Sequence, residues 1–356
     1  MKSHTLASER AAAAAAAWAP PKAGKAAESQ KAAESPKAAE SQKAAGSTDA
    51  APNRARLAAL LVASALTALP MLSACGSAAA GGGGQGGGAA GGSVDFDLGK
   101  EITVVSREDG SGTRGAFIEL FGIEETTDEG KKDRTTKEAI IAKQTDIMMN
   151  SVVGNKYAVG YSSLGSLNDM VRAVDIDGVE PSTETVKDGS YAIARPFILA
   201  TKGAPPPEAA DFISFILSSE GQDVIAANYI PVDEAAPSYA PTVSAGKVTV
   251  EGSSSVTPVM EKLKEAYVAI NPGMDVEVQQ NDSSTGLKAA ISGISDIAMS
   301  SRELKESELA ELTPTQIALD GVVVIVNTEN SVQGLSKEQV KAIFTGEAAK
   351  WGDVFQ

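Results

Sequence analysis

Four strand-like runs in this chain end in clusters of glycine and small hydroxylated residues, and two of the clusters carry arginine. The first is Ser106-Arg107-Glu108-Asp109-Gly110-Ser111-Gly112-Thr113, with Arg114 just beyond it. The second is Gly252-Ser253-Ser254-Ser255-Val256-Thr257-Pro258. The third is Asn281-Asp282-Ser283-Ser284-Thr285-Gly286, and the fourth is Ser300-Ser301-Arg302. Free backbone N–H groups and hydroxyls at a helix start cradle an anion, helped by the helix dipole. A serine or threonine there is more often only a cap. Four such turns at strand ends, with arginines among them, point to one tetrahedral oxyanion held where loops converge.

Gly110, Gly112 and Gly115 also spell G-x-G-x-x-G after a strand-like run, the outline of a dinucleotide fingerprint. That reading requires a second strand after the helix, ending in Asp or Glu about 20 residues on. The stretch that follows, IEETTDEGKKDRTTKE, is polar and reads as no strand. No Gly-Lys-Ser/Thr marks a nucleotide-binding P-loop either.

Composition narrows the chemistry further. The 356 residues are enough for two domains plus extras. The net charge is −15, and residues 1–56 hold nine Lys/Arg against five Asp/Glu, which leaves −19 on the remainder. Such a surface repels nucleic acid and anionic lipid. His4 is the only histidine and Cys75 the only cysteine. Internal disulfides, Cys–His catalysis and Cys/His zinc sites are therefore excluded from the folded part, and no metal or cofactor is expected.

Residues 57–74, LAALLVASALTALPMLSA, are uncharged and apolar, with Arg54 and Arg56 ahead and Cys75 at the end. This resembles a lipoprotein signal peptide with Cys75 as the lipidated residue. The other reading is a transmembrane helix, which the length permits, though Pro70 and the small terminal residues argue against it. Residues 76–95 are a Gly-rich tether. Residues 1–56, with KAAESQ-type hexads from Lys25, read as a low-complexity leader. Cleavage before Cys75 would remove residues 1–74.

From about residue 96 strands and helices alternate. Strands are expected at Glu101–Ser106, Tyr157–Ser163, Val171–Ile176, Pro196–Thr201, Lys247–Glu251, Asp275–Gln280 and Val322–Asn327. Helices are expected at Gly115–Phe121, Pro207–Glu220, Pro258–Asn271, Gly286–Ser292 and Lys337–Phe344. Apolar stripes at helical spacing run through Ala209, Phe212, Ile213, Ile216 and Leu217, and through Val259, Leu263, Ala266 and Ile270. Ser336 and Gln339 form a capping box. Thr257 suits the N-cap and Pro258 the first helical position. The alternation predicts an α/β fold with mostly parallel sheets. Asp233–Ala245, rich in Pro, Ala and Ser, reads as a linker that halves the globular region.

At these residues the chain resembles the phosphate-binding proteins of Pst-type ABC importers. The family's S-R-x-D-G-S-G-T segment is matched by Ser106–Thr113, its first phosphate turn by Gly252–Pro258 and its Ser-Ser-x-Gly turn by Ser283–Gly286. Tyr157–Tyr161, residues 212–222 and FTGEAAKWGDV at 344–354 are similar too. The order is rotated, because the family's tryptophan segment runs directly into its S-R-x-D-G-S-G-T strand. Here Trp351 closes the chain while that strand opens near residue 102. The resemblance implies a two-lobed periplasmic-binding-protein-like fold of class II, circularly permuted, with two hinge-crossing strands. The crossings are expected near Val322–Asn327 and Pro196–Thr201. One lobe would be 96–194 plus 327–356, and the other 195–326.

Carried over by motif, the resemblance implies that Arg107 is the cationic partner of phosphate and that Asp109 holds Arg107 in place. Ser111, Gly112 and Thr113 would bind from one lobe, and Ser254, Ser255, Thr257, Ser283 and Ser301 from the other. Many relatives carry an aspartate where Ser301 stands, which leaves selectivity against sulfate or molybdate open. Arg302 is read either as a ligand contact or as a surface ion pair with Glu303 or Glu306. The implied role is an extracytoplasmic, lipid-anchored, monomeric lipoprotein that delivers phosphate to ABC permease subunits. An adhesin or sensor is the alternative. A phosphoryl hydrolase using Ser254 or Ser255 would need a base, and no histidine is at hand.

Overall fold

The structure, a computed structural model, describes residues 96–127 and 130–355, all within the compact unit Gly84–Gln356. The leader, the apolar run, Cys75 and the tether lie outside the described residues.

The architecture turns on one long strand. The main strands are β1 (Thr103–Arg107), β2 (Ile140–Ala142), β3 (Ala158–Ser163), β4 (Val171–Ala173), β5 (Ala194–Thr201), β6 (Ile230–Pro231), β7 (Gly246–Ser253), β8 (Met274–Asn281), β9 (Ile297–Ser300) and β10 (Thr313–Asn327). They form one continuous sheet in the order β8-β7-β9-β5-β10-β3-β1-β2, with β4 and β6 pairing with β10. Within β10, Thr313–Gly321 pair with β5, and Val322–Val326 pair with β3. The change of partner between Gly321 and Val322 divides the sheet into two lobes.

Each lobe has its own core. Val104, Phe117, Tyr161 and Phe344 pack around Val322–Val326 in the first. Phe212, Phe215, Leu263, Tyr267 and Val250 pack in the second. The run VVVIV is buried on both faces, as a central strand covered by helices must be. It belongs to the first core, so the boundary falls near residue 321 and not at 326 as expected. The other crossing is likewise earlier, at Ile193–Ala194, where the Val322 N–H donates to the Ile193 carbonyl. The sheet is also mixed, not mostly parallel. β1 pairs in parallel with β2 and β3, and β7 with β8 and β9, but both crossing strands run antiparallel to their neighbours.

The helices that matter for the site are α1 (Gly112–Leu120), α2 (Thr145–Val153), α3 (Pro207–Ile216), α4 (Ser219–Ala226), α5 (Thr257–Ile270), α6 (Ser283–Ser292) and α7 (Lys337–Thr345). α1 starts three residues earlier than expected because Ser111 caps it, accepting from the Arg114 N–H. α6 likewise begins at Ser283, capped by Asp282. The expected helix Pro207–Glu220 is two helices, broken where Ser218 bonds the Phe215 carbonyl and caps the second. In α5, Val256 holds the N-cap position and Thr257 is the first helical residue. Its buried face is Val259, Met260, Leu263 and Tyr267, while Ile270 is exposed. The Ser336–Gln339 capping box forms as read.

The polar stretch after α1 does contain strands. Glu124–Thr127 and Gly130–Asp133 make a two-stranded ribbon off the main sheet, laced by Lys131–Glu124 and Arg134–Glu125 ion pairs. An exposed ribbon buries no apolar face, so alternation gives no signal.

The two ends of the described region meet. Glu101 and Lys350 form an antiparallel bridge, and the Gly352 N–H donates to the Leu98 carbonyl at 2.7 Å. Trp351 is fully buried beside Phe96 and donates through Nε1 to the Tyr157 carbonyl. Burying 150–250 Å² of tryptophan contributes about 4–6 kcal/mol by area. The terminal segment is therefore bound firmly to the start of β1. Asp233–Ala245 is equally docked, with Thr242 and Tyr239 bonded to the Asp211 carboxylate.

Candidate functional site

The carboxyl ends of β1, β7 and β9 and the first turns of α1, α2 and α6 converge between the lobes. Arg107 ends β1 and is 2 % exposed. Its guanidinium donates to Ser254 Oγ of the other lobe at 2.9 Å and to Thr145 Oγ1 at 3.3 Å. Thr113 Oγ1 meets Ser255 Oγ at 2.8 Å, again across the lobes. Thr145 Oγ1 lies 3.2 Å from Ser254 Oγ and 3.3 Å from Ser255 Oγ.

A second file of hydroxyls adjoins the first. Ser253 Oγ donates to Ser301 Oγ at 2.8 Å, and the Ser301 N–H donates to Ser283 Oγ at 3.2 Å. Gly112 of the first lobe faces them. A Cβ there would stand inside contact distance of Ser283 Oγ and 2.6 Å from Ser301 Oγ, so the close approach demands glycine. Ser253, Ser254, Ser255, Ser283 and Ser301 are all buried. Hydroxyls donate or accept, so the set can turn its protons toward a bound anion.

Arg107 is held by Glu108, not by Asp109. Its Nε and Nη2 donate to the two Glu108 carboxylate oxygens, each at 2.8 Å. Asp109 is exposed and pairs with Arg114, which also bridges to Asp133 and to the Arg107 carbonyl. The turn then continues through Gly110 at φ +93°, a left-handed conformation that favours glycine. Behind Arg107, its N–H donates to Tyr161 Oη, which also bonds Ser106 Oγ. Burial pushes the Tyr161 hydroxyl up to about 12, against the hydrogen bonds from Ser106 and the Arg107 N–H, so it stays neutral.

The expected residues divide in two. Arg107, Gly112, Thr113, Ser254, Ser255, Ser283 and Ser301 come together, and Ser111 caps α1 at their edge. Thr257 turns away, its hydroxyl bonded to the Ser253 carbonyl. Arg302, its side chain only 10 % exposed, pairs with Glu308 through both oxygens at 2.8 Å. It touches Glu303 only at the carbonyl, and Glu306 does not bind it. Burial would raise the Glu308 carboxyl, but hydrogen bonds from Arg302 and the Lys305 N–H outweigh it and hold it below the usual range.

Thr145, Ser253, Glu108 and a buried pair were missed. Arg195 and Asp320 meet at 3.0 Å on adjacent crossing strands, and Arg195 donates to the Ser301 carbonyl at 3.3 Å. Asp320 also accepts from Ser163 Oγ at 2.8 Å. Burial raises the Asp320 carboxyl in spite of the guanidinium beside it. The one available signal was a charge set in the apolar run ALDGVVVIV, because aspartate is rarely buried unpaired. Thr145 gave no signal, since its contacts come from distant segments.

Two lobes about paired crossing strands, with hydroxyls, a guanidinium and helix N-termini meeting between them, are the architecture of a solute-binding protein. Residues 95–220 and 237–356 match the family model of the PBP superfamily domain. The phosphate-binding protein PstS 2 of Streptococcus agalactiae serotype V is 52% identical over 257 residues, 71% of this chain and 87% of the relative. The PstS 2 of Streptococcus pneumoniae serotype 4 is 42% identical over 254 residues, 71% and 87% of the two chains. A crystal structure of a phosphate-binding protein of a phosphate ABC transporter from Streptococcus pneumoniae TIGR4 superposes with TM-score 0.59 at 41% identity. It covers 72% of this chain and all of that one. The chain belongs to the PstS family of phosphate-binding proteins.

Proposed function

We propose that the protein captures inorganic phosphate between its lobes and delivers it to an ABC permease. The Arg107–Ser254 contact carries the reading, because it sets a cation and a hydroxyl from opposite lobes against one point. A charge-assisted hydrogen bond contributes roughly 1.5–3 kcal/mol, and micromolar binding needs about 8 kcal/mol. Arg107 with a few of Gly112, Thr113, Thr145, Ser254, Ser255, Ser283 and Ser301 suffices. Calorimetric titration of the full chain with phosphate, arsenate, sulfate and molybdate tests this. Micromolar phosphate binding is expected, and no heat with any of them would overturn the reading.

The set suits binding better than hydrolysis. Glu108, which shares the Arg107 guanidinium with Ser254, is engaged through both oxygens and is a poor base for Ser254. Phosphomonoesters should not turn over.

Lipid anchoring at Cys75 on the outer face of the membrane completes the proposal, supported by the apolar run and the L-S-A-C junction. Among the described residues no helix is long and apolar enough to cross a membrane. The rotated segment order is read as a circular permutation, supported by the bridge between Glu101 and Lys350 that brings the two ends of the folded region together. Joining the two ends at Lys100 and Gly352 and reopening the chain within Asp233–Ala245 should yield a folded, phosphate-binding protein.

A further inference from the structure

At the rim of the cluster a chain of hydrogen bonds joins the lobes and takes no part in the contacts assigned to phosphate. Glu308 holds the Arg302 guanidinium through both oxygens, and Nη2 of that guanidinium donates to Ser284 Oγ at 3.1 Å. Ser284 lies in the first turn of α6 in the second lobe. Its hydroxyl donates to the Gly110 carbonyl of the first lobe at 3.1 Å, and its backbone N–H donates to the same oxygen at 3.2 Å. Arginine is a donor only, so its bond occupies a lone pair of Ser284 Oγ and leaves the single hydroxyl proton for Gly110. Arg302 thereby sets the direction in which Ser284 donates. Bonds in such a chain also polarise one another. Gly110 adjoins Ser111, so its carbonyl is the outer end of the turn that presents Gly112 and Thr113.

We propose that Ser284, aimed by Arg302, is a latch that holds the Gly110–Thr113 turn against the second lobe and slows release of the bound oxyanion. The proposal rests on the phosphate reading. The latch closes only after the lobes have met, so it acts on dissociation, the step in which related complexes mostly differ, and leaves capture alone. One hydrogen bond of ordinary net strength corresponds to about threefold to tenfold in rate.

The test follows radiolabelled phosphate leaving the full-length protein into excess unlabelled phosphate, with capture measured separately. Ser284→Ala should release phosphate about threefold to tenfold faster, with capture within about twofold of the parent and an unchanged melting temperature. Ser284→Thr keeps the hydroxyl and should restore slow release. Arg302→Met with Glu308→Gln, which leaves no lone charge behind, should speed release, and adding Ser284→Ala to it should change little more. Parent-like release from Ser284→Ala overturns the latch. So does a matching fall in capture, which would make Ser284 a ligand contact, or fully additive effects, which would uncouple Arg302 from Ser284. A parent that binds none of the oxyanions overturns the phosphate reading and the latch with it. A parent that binds, beside a Ser284→Ala variant that releases at the same rate, overturns the latch alone.

Discussion

Arg107 and Ser254 stand 147 positions apart on opposite lobes, and their side chains meet at 2.9 Å. A buried guanidinium at that junction brings a full positive charge against the hydroxyls of both lobes. Removing one partner of a buried charged contact typically costs about 2–5 kcal/mol, tens- to thousands-fold in affinity. Arg107→Ala should therefore abolish micromolar oxyanion binding in calorimetry while circular dichroism shows the fold retained. Parent-like binding would remove the site assignment.

Gly112 offers a sharper probe, because it tests the approach of the lobes without removing a polar group. A methyl at this helical position adds no backbone strain but strikes Ser283 Oγ and Ser301 Oγ. Gly112→Ala should weaken phosphate by at least about tenfold, equal to roughly 1.4 kcal/mol, and leave the unliganded melting temperature within a few degrees. Undiminished affinity would show that the two loops need not come this close.

Ser301 bears on selectivity. A serine hydroxyl offers a lone pair to a protonated oxyanion, but it lacks the charge by which a carboxylate repels one with no proton. Sulfate should compete measurably with phosphate, and Ser301→Asp should weaken sulfate by about tenfold more than phosphate. Equal losses for the two anions would detach selectivity from this position.

Acid should loosen the rim. Glu308 is held below its usual value of 4.5, so its contribution is full above that pH and is lost as pH falls through the lower folded value. Thermal unfolding followed from pH 5 to about pH 3 should show a falling melting temperature. Glu308→Gln should begin lower at neutral pH and fall less steeply. A slope identical to the parent's would show that Glu308 does not titrate in this way.

At the amino end, mass spectrometry of the membrane fraction should find a diacylated N-terminal Cys75 and no residues 1–74 in the major species. An intact peptide running from Ala74 into Gly76 would contradict the anchor.

Local order in the chain was enough to mark several of the turns that meet in this cleft. Glycine and hydroxyl clusters after apolar strands announced the turns at Ser111–Thr113, Ser253–Ser255 and Ser283, because N-terminal caps and anion cradles use the same few residue types. The Ser336–Gln339 capping box was legible for the same reason: its bonds span three residues. What spans the chain was not. That Glu108 rather than Asp109 holds Arg107 depends on how the turn after β1 directs two adjacent carboxylates, one onto Arg107 and the other onto Arg114. Thr145 joins the cluster only because β1 and β2 pair and carry α2 to the cleft. Arg302 reads from sequence either as a ligand contact or as an ion pair with Glu303 or Glu306, and only the packing of Glu306–Leu309 sets Glu308 against it. The lobe boundary moved from 326 to 321 because a run of valines buries equally well in either core, and only the pairing partners of β10 assign it to one. Spacing along the sequence sets which groups are able to cap, bond or bury. Which distant group meets them is decided by the crossing strands, because contact energies act between neighbours in space.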